Sequence, residues 1–220
     1  MPEPALLQSR NELWAAIHAE RAKLADDLAQ LDDDRWATPS LCGRWTVEQV
    51  VAHLTAAAST GGFRWFRSVV AVRFDFDLHN DRRLAEHRGA TPSGTLDRFR
   101  AAIPNTTAAS GHTPAWLGEV VVHAQDIRRP LGIDCTPAVN ALTTVATFYA
   151  SRDFTVASKT ATSCLELEAT DGPFRHGDGP LVRGTTVALT MAMAGREIYC
   201  GELDGPGVPA LRARCHPKDK

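Results

Sequence analysis

Four stretches of helical periodicity, each with a readable start or stop, lie within the first 158 residues, and the pattern then changes to strand-like alternation. Leu6, Leu13, Ile17, Leu24, Leu28 and Leu31 recur near helical spacing over 5–31, and Asp32, Asp33, Asp34, Trp36 and Pro39 break the run. The second helix is the best signed. Thr46 is its N-cap, Gln49 completes a capping box, and Trp45 and Val50 are placed for a hydrophobic staple. It is expected to run to Ser59, weaken at Gly61 and Gly62, and resume to residue 72. Thr113-Pro114 opens the third helix, with threonine as N-cap and proline at the first helical position. Arg128 and Arg129 suit the dipole at its end, and Pro130 and Gly132 close it. Thr136-Pro137 repeats the start signal for a fourth helix over 138–150. Four such helices imply a bundle whose metal or cofactor site lies between facing helices. Residues 73–114 are polar and read as a connection with a short helix around 96–102.

Beyond residue 158, residues 164–169 alternate apolar and polar, as a half-exposed strand does. Asp171-Gly172 and the Gly177/Gly179 pair read as turns, 181–194 as an apolar helix closed by Gly195, and 198–200 as a further strand. The expected fold is mostly α: a four-helix bundle over 1–158, then a small α+β domain over 159–220.

The whole-chain properties exclude several classes. An apolar fraction of 44% and a charged fraction of 23% are those of a soluble globular protein. A formal charge of −2 gives no electrostatic footprint for nucleic acid. No 18-residue apolar run reads as a membrane span, and 1–4 do not begin a signal peptide. Five cysteines, Cys42, Cys135, Cys164, Cys200 and Cys215, are odd in number and lack a Cys-x-x-Cys spacing, which fits a reducing cytoplasm. Cys42 stands out because it precedes the second helix. Oligomeric state is not legible in the chain.

The chemistry-bearing residues lie on two of these helices. Glu119 and His123 are four apart, so on a helix they stack on one face about 6 Å apart, and Asp126 continues the stripe. Trp116, Val120 and Ile127 flank the stripe on one side and Val122 on the other, which turns it towards a core or cleft. His53 occupies a similar apolar stretch. Two imidazoles and one carboxylate, with a position left open, form the ligand set of catalytic zinc sites, and nickel or iron would also accept it. The alternative is a surface Glu119–His123 pair, with His53 at the edge of a core. Spacing alone leaves both open.

The segments 41–54 (Leu-Cys-Gly-Arg-Trp-Thr-Val-Glu-Gln-Val-Val-Ala-His-Leu) and 118–132 (Gly-Glu-Val-Val-Val-His-Ala-Gln-Asp-Ile-Arg-Arg-Pro-Leu-Gly) resemble the second- and third-helix signatures of the mycothiol-dependent maleylpyruvate isomerase family. That family belongs to the DinB-like four-helix bundle superfamily. The tail, 169–184 and 194–196, is similar to the family's C-terminal domain. The resemblance implies zinc on His53, Glu119 and His123, mycothiol as cosubstrate, and a catalytic role for Asp126, which could equally orient His123 or anchor Arg129. It also implies an arginine from the C-terminal domain, mapped to Arg196, with Arg183 and Arg212 as rivals.

The chemistry then expected is activation of a low-molecular-weight thiol towards an electrophilic small molecule. A free thiol has a pKa of about 8.5 and is mostly protonated at neutral pH. Addition, rotation and elimination would isomerise a cis double bond, whereas addition alone would be S-transfer. A metal-dependent hydrolase of a thiol conjugate, and a non-catalytic metal-binding or regulatory domain on the same bundle, are the alternatives. No nucleic acid or membrane partner is expected.

Overall fold

A computed structural model describes residues 6–7, 9–43, 45–59, 84, 86–108, 110–154 and 156–215. The chain divides into two compact units, Trp14–Cys135 and Met1–Leu13 with Thr136–Lys220.

The first unit holds most of helix α1 (Arg10–Leu28), a 3-10 turn (Asp33–Ala37), α2 (Val47–Ser59), α3 (Pro92–Ala102) and α4 (Thr113–Leu131). The capping box expected at α2 is present in both directions. The Gln49 side-chain oxygen accepts from the Thr46 N–H at 2.9 Å, and the Thr46 hydroxyl accepts from the Gln49 N–H at 3.4 Å. The expected continuation to residue 72 lies outside the described residues. Proline follows the Thr91 cap of α3 directly, and the Thr91 hydroxyl accepts from Gly94 N–H at 3.1 Å, so this helix begins earlier than expected. On α4 the capping position falls to His112 rather than Thr113, with proline still in the first turn, and Gly132 ends the helix in the left-handed region at φ +66°. Only glycine adopts that conformation without a Cβ penalty.

α2 packs against both α3 and α4. Val47, Val50, Val51 and Leu54 of α2 and Leu117, Val120, Val121 and Ile127 of α4 are buried, each such side chain contributing about 1.5–3 kcal/mol. A buried carboxylate on α2, Glu48, is neutralised by Arg88 and accepts the Thr95 hydroxyl at 2.9 Å. Two arginines finish the frame. Arg21 reaches the carbonyls of Ala102, Ile103 and Asn105, capping the end of α3, and burial lowers its pKa to about 10. Arg128, fully buried on α4, donates through Nε to Asp27 of α1 at 2.7 Å.

The second unit holds α5 (Val139–Ser151), a short α6 (Ser158–Ala161), strands β1 (Glu166–Ala169), β2 (Arg175–His176) and β3 (Leu181–Gly184), α7 (Thr186–Met193), a 3-10 turn (Glu197–Glu202) and α8 (Val208–Cys215). The sheet order is β2-β1-β3, with β1 antiparallel to β2 and parallel to β3. Two expectations change here. The apolar run 181–194 is a strand followed by a helix: Val182 is buried within β3, and the Thr185 hydroxyl then caps α7. The residues expected as a last strand, 198–200, form a 3-10 turn. The architecture is mostly α with one small sheet, as expected. Among the described residues no helix is long and apolar enough to cross a membrane.

Candidate metal centre

α2 and α4 carry the site. His53 follows the apolar face of α2, where Val50, Val51 and Leu54 fix the helix in the core. Its ring lies against Trp45, with centroids 4.9 Å apart and planes tilted by 42°. Glu119, His123 and Asp126 share one face of α4, as their spacing demands.

The three expected ligands converge. His53 Nε2 lies 2.7 Å from Glu119 Oε1, and His123 Nε2 lies 3.7 Å from the same oxygen. The two imidazoles meet edge to face, their centroids 5.0 Å apart. One donor atom from each of the three residues fits within 4.8 Å of the others. Tetrahedral ligands about 2.1 Å from zinc stand about 3.4 Å from one another, and the two measured separations bracket that value. The residues therefore fit a divalent ion in chemistry and spacing. The side chains of His53 and Glu119 are 18% and 20% exposed, so the cluster opens to solvent.

Behind the cluster, His123 Nδ1 lies 2.9 Å from Asp126 Oδ2. A carboxylate can only accept, so Nδ1–H donates to it, which leaves Nε2 on the Glu119 side. Asp126 is completely buried. Burial opposes a charge on His123, but hydrogen bonds to Asp126 and Cys42 and the field of Glu119 outweigh it and push its pKa up to about 10.

The loop before α2 closes onto this edge. Leu41 N–H donates to the Asp126 carbonyl at 3.0 Å, and Cys42 groups with His123 and Asp126, again within 4.8 Å. Spacing did not link Cys42 to α4, because the link is made by folding. His112 belongs to neither group. Arg196 is in the other unit, where its Nη1 donates to the Ala194 carbonyl at 2.7 Å. Arg183 there lies 3.4 Å from Glu168.

Comparison with known proteins finds two solved structures of similar fold. One is a histidine-to-alanine variant of a mycothiol-dependent maleylpyruvate isomerase, 16% identical, matching 90% of this chain and 93% of that one with a TM-score of 0.63. The other is a mycothiol-dependent maleylpyruvate isomerase, also 16% identical, matching 86% and 90% with a TM-score of 0.62. Comparison with curated proteins finds no match. The family profile described as the mycothiol maleylpyruvate isomerase N-terminal domain matches residues 17–128. That match spans half of the chain and includes His53, Glu119, His123 and Asp126, so the chain belongs to the mycothiol maleylpyruvate isomerase N-terminal domain family.

Proposed function

We propose that this chain is a divalent-metal enzyme that activates a low-molecular-weight thiol, mycothiol, for S-transfer to an electrophile or for isomerisation of a maleylpyruvate-like substrate. Zinc, or a similar ion such as nickel, is held by His53, Glu119 and His123. Residues 1–158 form the metal-binding bundle, 159–220 its C-terminal domain, and the enzyme is cytoplasmic.

The observation that carries this reading is the convergence of two imidazole nitrogens and one carboxylate oxygen in a partly open cluster. Among the described residues three protein donors converge rather than four, which is the count of a catalytic site. A bound divalent ion lowers the pKa of a coordinating thiol, which is otherwise mostly protonated at neutral pH. The protein's part is to hold the imidazoles. Asp126 fixes the tautomer and plane of His123, and Trp45 limits how far the His53 ring can turn. The full burial of Asp126 and its bond to Nδ1 favour this orienting role over direct proton transfer to substrate. Arg196 stays in the proposal as an anion-holding residue on the resemblance.

Metal content of protein purified without chelator tests the reading, with about one zinc per chain expected. No stoichiometric metal, and none taken up from added zinc, would overturn it. Zinc at a hundredfold excess over its Kd should stabilise the folded chain by about 2.7 kcal/mol. In a protein of this size that raises Tm by roughly 5–11 °C, and a chelator should reverse the shift in a thermal melt. Asp126→Asn, which removes the charge behind His123 and keeps the shape, should weaken zinc about 10–100-fold in a competition titration. An unchanged affinity would remove Asp126 from the orienting role.

A further inference from the structure

We infer that Cys42 is a positioning residue of the metal centre, its sulfur sharing the outer edge of the His123 ring with Asp126; this rests on the metal-binding reading above. The sulfur, a ring nitrogen of His123 and a carboxylate oxygen of Asp126 lie within 4.8 Å of one another. Cys42 groups with Asp126 and not with His53 and Glu119. The sulfur is therefore grouped with the buried Asp126 carboxylate rather than with the His53 and Glu119 donors.

The loop is built to hold the sulfur there. Ser40 Oγ accepts from Cys42 N–H at 3.1 Å and donates to the Trp45 carbonyl at 2.7 Å. Trp45 N–H returns to the Cys42 carbonyl at 3.2 Å, around Gly43 at φ +58°, a left-handed conformation that glycine adopts freely. Pro39 and Thr46 bridge the base of the loop, and Leu41 N–H pins it to the Asp126 carbonyl. The same loop thus reaches both imidazoles, with the Trp45 ring against His53 and the Cys42 sulfur within 4.8 Å of a His123 nitrogen. It leads straight into the capping box of α2, so the start of the His53 helix and the support of His123 are fixed together.

Cobalt(II) binding and NMR of the metal-free protein test this on the full chain, with Cys42→Ala and Cys42→Ser compared at equal helical content. Cys42→Ala is expected to weaken cobalt about 10–100-fold, the usual cost of losing an outer partner of a metal-binding imidazole. Cys42→Ser, which keeps a polar group at the ring edge, should recover most of the loss. The wild-type cobalt spectrum should lack a thiolate-to-cobalt charge-transfer band. In metal-free protein the His123 ring N–H resonance should shift or broaden in Cys42→Ala and persist in Cys42→Ser. A charge-transfer band that disappears in Cys42→Ala would make Cys42 a ligand and overturn the inference, as would an unchanged affinity or an unchanged resonance. If the wild type takes up no cobalt, the metal-binding function itself fails. The metal-free resonance then decides whether Cys42 supports His123.

Discussion

Asp27→Ala is expected to destabilise the protein by about 3–5 kcal/mol, the cost of leaving a buried charge without its partner. Arg128 is completely buried on α4, and its one hydrogen bond to a carboxylate among the described residues is from Nε to Asp27 at 2.7 Å. The next acid, Glu20, stands 4.0 Å from Nη1 and already accepts from Lys23 at 3.0 Å. The Nη atoms of Arg128 find no hydrogen-bond partner among the described residues, so the guanidinium depends on Asp27 more than its position alone suggests. Arg128→Met should cost less. The buried cation is then gone, Asp27 is about a fifth exposed and can hydrate, and Glu20 keeps Lys23. Urea midpoints at comparable m-values check the order of the two variants. A cost below about 1 kcal/mol for Asp27→Ala would place the pair with solvent-screened surface bridges. Arg128 lies two residues beyond Asp126 on α4, so this ion pair also ties the helix of the site to α1.

What the sequence shows of this molecule is what short-range physics sets. The α2 capping box spans three residues and needs only local geometry, so it is found as read. Glu119, His123 and Asp126 are one helical stripe by spacing alone. The approach of His53 depended on two helices facing each other, which the bundle pattern and the resemblance supplied together. The errors fall where local pattern is ambiguous or a contact is distant. An apolar run such as 181–194 suits a buried strand as well as a helix. Thr185 and the crowding at Gly184, where a Cβ would meet Leu203 at 2.5 Å, decide it. The start of α1 moves from residue 5 to Arg10 because Ser9 and Glu12 form a reciprocal cap, a signal present in the sequence and passed over. Cys42 is marked in the sequence only by its place before the His53 helix, since nothing in its own segment points to α4.

His123→Ala and Glu119→Gln are expected to lose zinc by more than the roughly 100-fold that an outer-partner substitution costs. Each removes one of three donors, and the remaining two do not make the usual zinc ligand count. The two variants separate a metal site from a plain ion-pair cluster. Glu119 Oε1 contacts His53 at 2.7 Å and lies 3.7 Å from a His123 whose pKa is pushed up to about 10, so the cluster also suits a purely electrostatic role. If that were its whole purpose, Glu119→Gln would lower Tm, and zinc would move neither wild type nor variant. If the cluster holds a metal, zinc raises the wild-type Tm by the amount its affinity dictates. The same zinc then leaves Glu119→Gln and His123→Ala where chelated protein stands. The decisive quantity is therefore the zinc-dependent part of each shift, measured with helical content matched. A zinc response in His123→Ala equal to that of wild type would place the ion elsewhere and remove the centre on which the thiol chemistry depends.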